Sequence, residues 1–281
     1  MPPSESNRST NRPASVGKPL REAATMGPLE WGLVLVLAVI WGGSFFFIEV
    51  VLVELPPLTV VLGRVSLAAL ALLIYLPFGG HRLPNSPAIW RQFTLMGLLN
   101  NALPFGLIVW GQTHITGGQA SIVNAATPIF SVMLAHFVTR TERLTPHRVL
   151  GVALGWAGVV LLIGVDALKG LHLAAGGQLA VLGAALAYAV AALYGRRFQG
   201  LAPQVLAAGM LSCSSLLLLP IALAVDRPWQ LLPGPLTLGA LCALALVCTS
   251  LAYIIYFRVL ATAGATNLML VTFLIPVSAI S

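Results

Sequence analysis

Charge is what this sequence has least of. Only 8% of its 281 residues are Asp, Glu, Lys or Arg, where a soluble domain carries about 25%. A soluble fold of this length must cover its surface with polar side chains, and there are too few here. That excludes a soluble enzyme and a nucleic-acid module, so no nucleic-acid partner is expected. Polar stretches are equally scarce. Residues 1–28, rich in Ser, Pro, Asn and Arg, form the single extended one and read as a disordered tail. The tail holds no short apolar core ahead of a small-residue cleavage site, which excludes a secretory signal. Cysteine is rare: Cys213, Cys242 and Cys248 all fall inside apolar runs, as small packing residues and not a disulfide frame. The five histidines are scattered and form no ligand cluster, so neither a metal nor a cofactor is expected. GxSxG, HExxH, CxxC and a nucleotide-binding glycine loop are all absent, which leaves no catalytic residue to name and makes a membrane enzyme the weakest reading.

What is present is apolar sequence. Hydrophobic residues make up 58% of the chain, and the mean hydropathy is +0.93. Nine runs stand out: Trp31–Leu52, Pro57–Pro77, Ile89–Trp110, Ile115–Val138, Val149–Val165, Gln178–Gly195, Gln204–Val225, Leu236–Phe257 and Gly264–Ser281. Most approach the roughly 20 helical residues that cross a hydrocarbon core of about 30 Å. They are continuous, without the strict alternation of a membrane barrel, so they are read as helices that satisfy their own backbone. With the N-terminus inside, twelve Lys and Arg fall in cytoplasmic segments and two, Lys169 and Arg227, fall outside; Arg64 lies within a span. Such asymmetry fixes an orientation in the plasma membrane, with the tail cytoplasmic. It also accounts for the pI of about 9.9 without any acidic partner.

An internal repeat emerges from the same runs. TPIFSVML at Thr127–Leu134 has a counterpart in IPVSAIS at Ile275–Ser281, and Pro128 and Pro276 lie 148 residues apart. If Pro128 belongs to helix 4 and Pro276 to helix 9, the unit is five helices. An odd unit enters the membrane from opposite sides in its two copies, an inverted repeat. The expected fold is therefore an all-α integral membrane protein: residues 29–166 carry helices 1–5 and residues 174–281 carry helices 6–9. Ser281 falls inside an apolar run, so helix 10 and part of helix 9 are expected to be missing.

Several strings resemble the drug/metabolite transporter superfamily, specifically its EamA-type ten-helix exporters. They are WGGSFFFIE at Trp41–Glu49, LPPLTVVLGR at Leu55–Arg64, LLNNALPFGLIVWGQTHI at Leu98–Ile115 and GGQASIVNAATPIFSVMLAHF at Gly117–Phe137. The series continues with ERLTPHRVLGVALGWAGVVLLIG at Glu142–Gly164 and AYIIYFRVLATAGATNLMLVTFLIPVSAI at Ala252–Ile280, in family order and spacing. The resemblance implies two five-helix repeats around a central cavity, and outward movement of small organic solutes such as amino-acid-like metabolites or drugs. Two positions depart from the pattern: Thr141 precedes Glu142 where members commonly carry Gly, and Glu49 stands where many carry Lys. A non-transporting membrane scaffold or binding protein is the alternative reading.

Glu49 and Arg64 are the two charges well inside predicted spans. A charge at the centre of a spanning helix costs about 2.5–3.5 kcal/mol on insertion scales. Counted from the Leu55–Pro57 turn they lie at similar depth, so they are expected to pair, either as a static link or as a proton- or substrate-responsive site. Asn100, Asn101 and Asn124, with the helix-breaking Pro104 and Pro128, suggest a polar midplane cavity, although Asn can equally hold helices together. Tyr253 and Tyr256 share a face of helix 8, and Trp41 and Ser44 share a face of helix 1; all four are candidates to line that cavity. Gly151, Gly155 and Gly158 of helix 5 serve close packing within the bundle, or a homodimer seam. The partners expected are a small-molecule substrate and the lipid bilayer.

Overall fold

The computed structural model describes residues 26–138, 150–158, 161, 172–198, 200–268 and 270–280. Most of the expected tail and the Arg140–Arg148 loop, with Thr141 and Glu142, lie outside the described residues, as does Lys169. Every regular element among the described residues is helical. Here α1 is Pro28–Leu52, α2 is Pro57–Phe78 and α3 is Pro87–Gly111. Helix α4 is Gly117–Val138, α5 comprises residues 150–158, and α6 is His172–Gly195. Helix α7 is Pro203–Val225; α8 is built from Pro235–Ala245, Leu246–Leu251 and Ala252–Leu268; α9 is Leu270–Ile280. Seven of these helices are long and apolar enough to cross a membrane.

Local sequence explains where they begin. Helices α1, α2, α3, α7 and α8 each open on a proline, where the missing N–H is no loss and the fixed φ suits a first turn. Helix α4 opens instead on a capping box: the Thr116 hydroxyl accepts from the Gln119 amide at 3.3 Å, and the Gln119 side chain returns to the Thr116 amide. The spanning helices are apolar on their outward faces as well as inside. Leu35, Val39, Phe46, Leu70, Ile74 and Leu216 are all exposed, as a helix surrounded by hydrocarbon requires.

Exchanging the two halves maps the packing onto itself. Helix α2 lies along α7; α3 packs on α6 as α8 packs on α1; α4 packs on α6 as α9 packs on α1. Thr59, in the first turn of α2, bonds Asp226 at the end of α7, so these repeat mates run antiparallel. The two copies are thus inverted. The close crossings are lined by glycine. A Cβ on Gly111 would lie 2.9 Å from the Gly177 carbonyl oxygen, and one on Gly177 would lie 2.9 Å from that of Gly111. The Gly176–Gly177 pair, which in sequence reads as the edge of a span, therefore sits inside α6, where it lets α3 approach. Gly155 of α5 faces Ile129 of α4, and Phe130 meets Trp156 edge-on at 5.2 Å.

The ends of the bundle differ in character. Arg82, Arg91, Arg196 and Arg197 gather where the α2–α3 and α6–α7 connections meet, around Phe93 stacked on Phe198 at 5.9 Å. The opposite end carries Glu49, Glu54, Asp226 and Arg227.

Candidate functional site

Two helices of equivalent position carry a π turn, in α3 at Leu98–Ala102 and in α8 at Leu246–Leu251. Leu98 and Leu246 are separated by the same 148 residues as Pro128 and Pro276. The two turns arise from different chemistry. In α3, Pro104 has no N–H to give the carbonyl four residues back, and the helix widens just before it, with the Leu103 amide reaching the Leu98 carbonyl. The expected interruption at Pro104 is thus a continuous helix with one widened turn. In α8 no proline follows the turn; the hydroxyls of Thr249 and Ser250 enter the ladder and donate to the carbonyls of Leu244 and Ala245 at 2.9 and 3.1 Å. Helix α4 does break: its first part ends at Asn124, its second begins at Thr127, and the Thr127 hydroxyl donates to the Asn124 carbonyl at 2.7 Å. Pro128 therefore occupies a first turn, while Pro276 lies within α9.

The α3 turn aims two amides at the second repeat. The Asn100 amide donates to the Tyr253 hydroxyl at 2.9 Å, and that hydroxyl donates to Asn101 Oδ1 at 2.9 Å. Asn101, 0% exposed, donates in turn to Ser214 Oγ of α7 at 3.3 Å, and Ser214 shares its proton between the Gly97 and Met210 carbonyls. No buried side-chain polar atom of this cluster is left without a partner, so the cluster ties α3, α7 and α8 to one another. Trp41 and Tyr256 lie beside it with ring centroids 5.8 Å apart, bringing in α1. Ser44 gives its hydroxyl proton to the Trp41 carbonyl of its own helix at 2.7 Å. Asn124 stands apart from the cluster, and its Oδ1 is buried without a hydrogen-bond partner among the described residues.

Glu49 and Arg64 do not pair. Helices α1 and α2 are consecutive but touch little, because α1 packs on α8 and α9 while α2 packs on α7. Depth along a hairpin gives no azimuth, and here the side chains diverge. Glu49 accepts from the Gly117 amide at the N-terminus of α4, where the exposed amides and helix dipole suit a carboxylate. It borders an open cleft of about 470 Å³ with Gln112, His114, Thr116, Gln119 and Ala174. Arg64 is 5% exposed; its Nε donates to Thr249 Oγ1 at 2.9 Å, and its guanidinium lies 3.9 Å over the Phe105 ring. Both partners belong to, or adjoin, the π turns. Tyr188, Cys248 and Tyr253 lie within reach of its charge, so Arg64 and the Asn–Tyr cluster are neighbours.

Sequence reading misses Thr249, Ser214 and Phe105. The repeat could have found the first and third: Thr249 follows Asn101 by 148 residues, and Tyr253 follows Phe105 by the same interval. Arg64 is the eighth residue of α2 and Met210 the eighth of α7, so the pseudo-symmetry breaks at this pair. One repeat presents a cation to the opposite π turn. The other presents a thioether, 3.8 Å from the Asn100 amide.

The EamA-like transporter family matches residues 30–164 and 175–281, once in each half of the chain. The chain belongs to this family. The uncharacterized inner membrane transporter YedA of Escherichia coli (strain K12) is 28% identical to this EamA-like chain over 244 residues, 84% of this chain and 77% of its own. A probable amino-acid metabolite efflux pump of the same organism is 31% identical over 167 residues, 59% of this chain and 52% of its own. A solved crystal structure has a TM-score of 0.66 at 18% identity, covering 90% of this chain and 86% of that one, which shows the shared fold. The resemblance read from the sequence holds, and the chain is a multi-pass membrane transporter.

Proposed function

We propose that this EamA-like chain exports small organic metabolites, amino-acid-like solutes or drugs, across the plasma membrane by alternating access. On this reading the solute site lies where the two π turns meet. The observation that carries it is the straddling of the repeats by one polar cluster: Arg64, Asn100 and Asn101 come from the first, Ser214, Thr249 and Tyr253 from the second. Rocking one repeat against the other remakes these bonds, and a midplane site at a repeat interface is the arrangement of many secondary transporters. Broken or widened helices with unpaired backbone are tolerated in a membrane where they line such a site.

Contacts between repeats at both ends support two gates. At the acidic end the Asp226 carboxylate accepts from the Thr59 amide and hydroxyl at 2.7 and 3.0 Å, and Glu54 accepts from the Gly234 amide at 2.6 Å. At the basic end Phe93 stacks on Phe198. By the distribution of Lys and Arg the basic end and the tail are cytoplasmic. The name of the efflux-pump relative favours amino-acid metabolites as cargo. Expression in cells challenged with toxic amino-acid analogues tests the reading. Resistance with lower intracellular analogue supports export; unchanged resistance and analogue content across the panel would refute it.

A further inference from the structure

Among the described residues, the cation at Arg64 has no counter-charge. Four of the eight carboxylates are described, and each is engaged with a backbone amide elsewhere: Glu30 with Gly27, Glu49 with Gly117, Glu54 with Gly234 and Asp226 with Thr59. The other four, Glu5, Glu22, Glu142 and Asp166, fall outside the apolar runs in sequence. Among the described residues, then, Arg64 meets no acid. Its guanidinium has five N–H donors. One is used on Thr249, one face is covered by Phe105, and the terminal nitrogens donate to no described residue. A charge so placed retains a strong demand for an anion, and a guanidinium fork matches a carboxylate in bidentate geometry. Two further features place this demand at a binding site. The residues that hold Arg64 belong to or adjoin both π turns, a distortion frequent at functional sites. The equivalent position in the second repeat is Met210, so the cation is not an element that the fold requires twice.

We infer that Arg64 is the anion-binding residue of the solute site and that the cargo of this transporter carries a carboxylate. The inference rests on the export reading and narrows it. The carboxylate of the cargo takes the terminal guanidinium nitrogens, Thr249 and Phe105 hold the guanidinium in place, and Tyr253 with Trp41 and Tyr256 offers aromatic surface to the remainder. An inorganic anion such as chloride satisfies the same charge, and the test separates the two sources.

The test uses the full chain in detergent, with thermal unfolding in the presence of acetate, benzoate or phenylacetate, of the neutral phenylacetamide, and of chloride at matched ionic strength. The expected result is stabilisation by at least one carboxylate, none by phenylacetamide, and no equivalent effect of chloride. Losing a charge-assisted contact weakens binding by about ten- to a hundredfold, so Arg64→Gln should need that much more carboxylate for the same shift, and Arg64→Lys less. The comparison of phenylacetate with phenylacetamide on the unaltered chain needs no variant to fold. Equal stabilisation by chloride, or no shift with any of the three carboxylates, overturns the inference. Efflux of amino acids from proteoliposomes keeps the readings apart: flux without carboxylate dependence sinks this inference alone, whereas no flux sinks the export reading beneath it.

Discussion

Two adjacent glycines of α1 should respond oppositely to the same substitution. A Cβ on Gly42 would lie 2.0 Å from Ser278 Oγ, 2.9 Å from Ser278 Cβ and 3.0 Å from its carbonyl carbon, where α9 crosses α1. Rotating the hydroxyl away relieves the first contact; the other two involve atoms that move only if the helix does. One residue on, a Cβ on Gly43 would meet only Phe47 Cε2 at 4.0 Å, an ordinary contact. Replacing a helical Gly by Ala gains about 1 kcal/mol of intrinsic propensity, while forcing a methyl into a packed crossing costs about 1–3 kcal/mol. With the backbone of α9 in contact, the upper part of that range applies. Gly42→Ala should therefore be less stable than wild type by about 1–2 kcal/mol, and Gly43→Ala equal to it or better by up to about 1 kcal/mol. The fraction folded after graded heating in detergent, read by size-exclusion chromatography, ranks the three proteins. Equal stability of Gly42→Ala and Gly43→Ala would refute the α1–α9 crossing.

Other outcomes follow from the same contacts. Glu49→Gln and Arg64→Gln should change stability additively in a double-mutant cycle, because the side chains do not touch; a coupling energy above about 0.5 kcal/mol would restore the ion pair. The Glu54 carboxyl is held below its ordinary value by the Gly234 amide and the Thr237 hydroxyl. A lowered folded-state pKa contributes stability that is present above the ordinary carboxylate pKa and is lost as pH falls through the folded value. The melting temperatures of wild type and Glu54→Gln should therefore converge in acid and separate toward neutral pH. In a background without Cys213, Cys242 and Cys248, a cysteine at position 227 should react in intact cells with an impermeant maleimide and one at position 82 should not; the reverse labelling would invert the topology.

Much of the fold was legible because a bilayer imposes simple rules. Length of apolar run and the sign of flanking charge need no tertiary information, and the 148-residue spacing of Pro128 and Pro276 carried over to the two π turns. The local geometry was less legible. Pro104 reads as a break in sequence, but whether a helix breaks or widens depends on what packs against it. Glu49 and Arg64 share a depth, and the sequence says nothing of azimuth once consecutive helices choose other neighbours. The Asn100–Asn101–Tyr253 set was named from polarity and spacing alone, and the structure brings these three together. Thr249 and Ser214 went unremarked because a lone hydroxyl in an apolar run usually bonds its own helix, as Ser212 and Ser215 do here with the carbonyls of Ala208 and Leu211.

In the proposed export cycle, solute passes by the cluster that joins the repeats. Its most direct test is the efflux rate of a labelled amino-acid mixture from proteoliposomes holding wild type or Tyr253→Phe. The substitution removes both bonds of the Tyr253 hydroxyl with little change of volume, and interhelical bonds in membranes average about 0.6 kcal/mol and reach about 1.7. We predict flux above protein-free vesicles for wild type and a fall of roughly five- to tenfold for a folded Tyr253→Phe. Wild-type flux equal to that of protein-free vesicles, or an unaltered rate in Tyr253→Phe, would contradict the account.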